Sequence, residues 1–90
     1  MPEQTFKITH ETGLHARPAT SVVNKAGKFQ SEVQLSYNGK TINLKSIMGL
    51  MSLGISQGSE VVISAEGKDA EMAIEGLSKL IQEEKIGVPV

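Results

Sequence analysis

Seven consecutive residues, Gly13-Leu14-His15-Ala16-Arg17-Pro18-Ala19, bring a histidine within two positions of the chain's only arginine. An imidazole is a nucleophile at neutral pH. A guanidinium grips phosphate oxygens with a planar fork of donors. Gly13 supplies a backbone angle that a turn can use. Pro18 is tolerated only in the first turn of a helix. This spacing places His15 at or just before a helix start, where unpaired N–H groups and the positive end of the dipole favour an anion. The chemistry implied is acceptance of a phosphoryl group by His15, with Arg17 holding its oxygens. Help from the dipole amounts to about 0.3–1 kcal/mol, enough to tune transfer without trapping the phosphate. The plain alternative is a surface histidine beside a helix start, and Gly13, Arg17 and Pro18 at their spacing weigh against it.

A second segment runs Asn43-Leu44-Lys45-Ser46-Ile47-Met48-Gly49-Leu50-Met51-Ser52-Leu53-Gly54. Ser46 precedes a helical pattern and is a natural N-cap. It is also a candidate phosphorylation site, since a phosphate adds about −1.5 to −2 charge and suits a helix start. So short a helix cannot bury all its apolar residues. Leu50 and Leu53 are expected inward, which leaves Ile47, Met48 and Met51 as an exposed apolar docking patch.

The rest of the inventory is thin. The chain has 90 residues, no Cys, no Trp and two histidines. Disulfides, thiolate metal sites and cysteine nucleophiles are excluded. His10 lies five positions before His15 with only Glu11 nearby, so it reads as a solvated loop residue, and no metal site is expected. No GxxxxGK[ST] or GxGxxG occurs, so a nucleotide cofactor has no motif to hold it. With 9 basic against 10 acidic residues, the net charge of −1 gives no general attraction to nucleic acid. No apolar run approaches the roughly 20 residues of a membrane helix, and the N-terminus lacks signal-peptide character. A cytoplasmic protein without membrane insertion is the expectation.

The elements that must position these residues follow from periodicity. Gln4 to Thr9 reads as a strand with Phe6 and Ile8 on one face. Ala16, Ala19, Val22, Val23 and Ala26 have helical spacing, with Gly27 as the stop. Val33, Leu35 and Tyr37 alternate before Asn38-Gly39, the strongest short hairpin signal. A two-residue turn then pairs Tyr37 with Lys40, Leu35 with Ile42 and Val33 with Leu44. Ser46 to Leu53 reads as a short helix ended by Gly54. Val61, Ile63 and Ala65 alternate in a further strand. Ala70, Ala73, Ile74, Leu77, Leu80 and Ile81 form an amphipathic helix, with Asp69 placed to cap it. The order β-α-β-β-α-β-α, with one-faced helices, implies an α+β fold in which one antiparallel sheet carries its helices on a single face. The length leaves room for one domain, residues 1–90.

Both segments together resemble the histidine-containing phosphocarrier family, HPr, of the bacterial phosphoenolpyruvate:sugar phosphotransferase system. Gly13 to Ala19 is similar to its active-site signature. Leu44 to Gly54 is similar to its regulatory signature in the low-GC Gram-positive type. The resemblance runs from about Thr5 to Glu83 without gaps. It implies an open-faced sandwich, a four-stranded antiparallel sheet in order 1-4-2-3 under three helices. It implies a carrier rather than an enzyme: His15 accepts phosphate on Nδ1 from phosphorylated enzyme I and passes it to sugar-specific IIA domains of sugar permeases. Arg17 matches the family's phosphate-contacting arginine, Thr12 a small polar neighbour of the site, and Ala16 and Pro18 flank it. Ser46 matches the serine modified by the HPr kinase/phosphorylase, and in that form the family binds catabolite control protein A as a corepressor. Ile47, Met48 and Met51 match its docking patch. No cofactor is implied. A paralogue, the catabolite-repression homologue, keeps the serine region and lacks the active histidine, which this chain has. His10 and the tail Ile86-Gly87-Val88-Pro89-Val90 map onto no family role.

A different class fits the same element order. An RNA-recognition sheet stacks bases on aromatic side chains. This chain has only Phe6, Phe29 and Tyr37, in no such motif, and no basic excess.

Overall fold

A short hairpin anchors the sheet. Asn38 and Gly39 adopt φ of +54° and +82°, the left-handed pair that matches the twist of the flanking strands. They join β2 (Glu32–Tyr37) to β3 (Lys40–Asn43), and the pairing sets Tyr37 against Lys40 and Leu35 against Ile42, as the sequence implies. The Leu44 N–H extends that register to the Val33 carbonyl at 2.9 Å. The computed structural model describes residues 2–90, and its other elements are β1 (Glu3–Ile8), α1 (Ala16–Ala26), α2 (Ile47–Met51), β4 (Glu60–Glu66), α3 (Ala70–Glu83) and β5 (Gly87–Pro89).

Alternation decides which face is covered. Phe6, Ile8, Val33, Leu35, Val61, Ile63 and Ala65 are buried, and their strand neighbours Lys7, Glu32, Gln34 and Glu60 are exposed. Register keeps them on one face: Phe6 lies opposite Val61, Val33 opposite Ala65 and Leu35 opposite Ile63. Ala19, Val22 and Ala26 of α1 and Ala73, Leu77 and Ile81 of α3 close this layer, with Leu50 of α2 fully buried beside them. Each large aliphatic side chain removed from water contributes about 1.5–3 kcal/mol.

The α+β class with three helices and an antiparallel sheet stands, but the expected four strands are five, in the order β3-β2-β4-β1-β5. The first four keep the order 1-4-2-3 read from the other edge. The fifth arises because Lys85, at φ +57°, turns the chain after α3. The Ile86 N–H then closes on the Ile81 carbonyl at 2.8 Å, and Gly87 to Pro89 pair antiparallel with β1. Gly87 fits because a Cβ there would lie 2.6 Å from the Lys7 carbonyl oxygen. Pro89, with no N–H, is compatible with an edge strand.

Two smaller expectations also change. The second helix is confined to Ile47–Met51 rather than Ser46 to Leu53, although Leu53 and Gly54 continue its hydrogen bonding to Leu50 and Met51. Asp69 stands at the N-cap of α3 but makes no side-chain capping bond. Its carboxylate instead accepts from the Gln30 N–H and the Ser31 N–H, each at 2.9 Å, and from the Ser31 hydroxyl. These bonds tie the start of α3 to the entry of β2.

Candidate functional site

The segment bearing His15 is held from below. Gly13 sits at φ +69°, and a Cβ there would fall on the Ile55 carbonyl and 2.9 Å from the Ser56 Cα. Only glycine fits this position. The Leu14 N–H donates to the Ile55 carbonyl at 3.0 Å, and the Leu14 side chain is buried. A seated Gly13-Leu14 pair therefore delivers His15 to the surface as the N-cap of α1, in extended conformation at φ −127° and ψ 160°. The ring is half-buried and makes no capping hydrogen bond.

Ala16 follows at φ +51°, in the left-handed region, and is exposed. For an L-residue this conformation costs about 1–2 kcal/mol. The first N–H groups of α1 have no helical carbonyl to reach. Pro18 occupies the third helical position and is buried, so a residue without an N–H stands where none is needed.

Arg17 is exposed and lines a cavity of about 340 Å³ together with Thr12, Ala16, Pro18, His10, Glu84 and Ile86. Four positions singled out from the sequence, Thr12, Ala16, Arg17 and Pro18, thus meet on one concavity. His15 stands directly before Ala16 and Arg17 in the chain and does not itself line that cavity. The Arg17 guanidinium and the helix-start N–H groups next to a surface imidazole can bind and hold an anion there.

Three contributors escape the sequence reading. His10 is half-buried rather than simply solvated, and its Nδ1 accepts from the Thr12 N–H at 3.2 Å and lies 2.9 Å from the Thr12 hydroxyl. Glu84 and Ile86 reach the cavity from beyond α3, a placement that no local pattern encodes. Among the described residues no cluster of three His, Cys, Asp or Glu could hold a metal ion. Among the described residues no helix is long and apolar enough to cross a membrane.

The second segment, though its helix is shorter than expected, keeps Ser46 as N-cap. The Ser46 side chain caps α2 by accepting from the Gly49 N–H at 3.1 Å, and Ser46 is exposed. Asn43 prepares it: its Oδ1 accepts from the Lys45 N–H at 2.9 Å, and its carbonyl from the Ser46 N–H at 3.0 Å. Met48 is 81% exposed, and Ile47 and Met51 are 38% exposed, while Leu50 is buried. The apolar patch therefore exists, on a helix that packs against α1.

Comparison with known proteins gives a family match described as the PTS HPr component phosphorylation site, over residues 2–83. Among solved structures, an HPr from Thermoanaerobacter tengcongensis is 52% identical, with a TM-score of 0.90 and 96% of each chain covered. The histidine-containing phosphocarrier protein of Mycoplasma is 37% identical, with a TM-score of 0.92, 96% of this chain and 98% of that one covered. Crh, the catabolite repression HPr of Bacillus subtilis, is 46% identical, with a TM-score of 0.66, 91% of this chain and 98% of that one covered.

Proposed function

This chain belongs to the HPr family of phosphotransferase-system phosphocarriers, and on that premise we propose that His15 is its phosphoryl acceptor. Phosphorylated enzyme I donates. The bond between phosphorus and the donor's nitrogen breaks as a bond forms to Nδ1 of His15, and the phosphate is later surrendered to a nucleophile on a IIA domain. Arg17 pairs with the phosphate oxygens, Thr12 borders them, and Ala16 and Pro18 shape the wall. The observation that carries this reading is an imidazole at the start of α1, directly before the Ala16 and Arg17 that line the cavity.

No cofactor enters, because the donor's phosphate and this ring suffice. One carrier domain, residues 1–90, works in the cytoplasm without membrane insertion, with no nucleic acid bound directly. Ser46 is the regulatory site, modified by HPr kinase/phosphorylase. Its exposed hydroxyl supports access by a kinase. In that form the chain acts with catabolite control protein A as corepressor, docking through Ile47, Met48 and Met51. The likeness to Crh favours a second reading, a regulator alone, and restoration of sugar uptake in a strain lacking its own carrier separates the two.

Incubation with phosphoenolpyruvate and enzyme I gives an acid-labile phosphate on the wild type and none on His15→Ala. Labelling that persists in His15→Ala overturns the assignment.

A further inference from the structure

We propose that His10 is a positioning residue for phosphoryl transfer, clamping Thr12 beside the acceptor loop through its Nδ1; this rests on the reading of His15 as acceptor. Three separate polar groups of His10 each hold a different piece of chain. Its backbone N–H donates to the Ile86 carbonyl at 3.1 Å, an oxygen that also takes the Thr9 N–H at 2.9 Å. Its carbonyl accepts from the Gly13 N–H at 2.9 Å and closes the turn that leads to His15. Its ring nitrogen takes the Thr12 N–H at 3.2 Å and stands 2.9 Å from the Thr12 hydroxyl.

Donor accounting selects the tautomer of the neutral ring. A nitrogen that accepts an N–H bond carries no proton, so the neutral imidazole keeps its proton on Nε2. The Thr12 hydroxyl then donates to the same lone pair. Both donors of Thr12 are committed to one atom, and its side chain is fixed where it lines the cavity with Arg17. Without the ring, Thr12 is free to rotate and the turn loses a bond close to His15. The charged groups that share this surroundings are Arg17 and Glu84 across the cavity and Glu11 next in the chain.

Acceptor geometry separates this role from bulk or charge. The Oδ1 of asparagine reaches the place of Nδ1, whereas the acceptor of glutamine lies one bond further out. His10→Asn is expected to keep the second-order rate of phosphorylation by enzyme I within about twofold. His10→Gln and His10→Ala are expected to lose about tenfold, the scale of a misplaced neighbour at a reacting centre. Long-range proton–nitrogen NMR on the wild type, at a pH where the ring is neutral, should find the His10 proton on Nε2. Equal rates in all three variants overturn the proposal, as does an Asn variant that falls with the other two, or a neutral His10 protonated on Nδ1. A wild type that takes no phosphate from enzyme I overturns the carrier reading instead, and the NMR result then decides the clamp by itself.

Discussion

Asp69 and Ser31 grip each other reciprocally. The Ser31 hydroxyl donates to the Asp69 carboxylate, and the Asp69 N–H donates back to that hydroxyl at 3.2 Å. Ser31 is the one buried polar residue among those described, and Asp69 supplies acceptors for its N–H and its hydroxyl. The Ser31 hydroxyl, followed by the Gln30 N–H, holds the Asp69 carboxyl below its ordinary value of 3.8. A depressed carboxyl contributes stability that is complete above the unfolded value and lost as pH falls through the folded one. Asp69→Asn should therefore lower the urea midpoint at neutral pH, and its gap from the wild type should narrow below about pH 4. Urea titrations of both chains at several pH values measure this.

Gly13→Ala should cost at least about 1 kcal/mol from backbone conformation alone. The added methyl also strikes the Ile55 carbonyl, so the loop must shift. Stability and the rate of phosphorylation should fall together. Chemical denaturation and the enzyme I assay on one preparation test both.

Leu50 and Met48 belong to the same five-residue helix and should respond oppositely. Leu50→Ala removes a fully buried side chain and should cost about 2–5 kcal/mol. Met48→Ala should change stability by no more than about 0.5 kcal/mol, being exposed. If the patch docks partners, Met48→Ala weakens binding of the Ser46-phosphorylated chain to catabolite control protein A by about tenfold or more. Thermal melts and titration calorimetry separate the two effects.

Ser46→Ala removes the bond to the Gly49 N–H and should cost about 1 kcal/mol. It should also abolish the acid-stable phosphate introduced by ATP-dependent kinase, while the acid-labile label on His15 persists. Mass spectrometry before and after acid treatment reads both.

What the sequence disclosed was local. Asn38-Gly39 gives the hairpin and its register because turn chemistry acts over four residues. Helix α3 appears in its period, and Ala70, Ala73, Leu77 and Ile81 are buried as that period requires. The Gly13–Ala19 segment places His15 because Gly13 can take the positive φ its turn needs and Pro18 belongs only in a first helical turn. Asp69 reads as a cap, and the bond it makes instead, to Ser31, 38 positions away, leaves no local signal. β5 left almost no pattern: three residues, one a glycine and one a proline, show no alternation to read. The family match also ends at residue 83, ahead of that strand. The His10 contact hid because two residues apart in a loop have no fixed geometry until the turn is known.

The placement of β5 bears on how the protein is made. The Ile86 carbonyl that receives the Thr9 and His10 N–H groups is synthesised after β4 and α3, and β1 takes β4 on one side and β5 on the other. During translation, the loop that carries His15 emerges from the ribosome before either strand that pairs with β1. Its surroundings are completed only when β5 clears the exit tunnel, so a nascent chain exposes His15 before it holds the finished site.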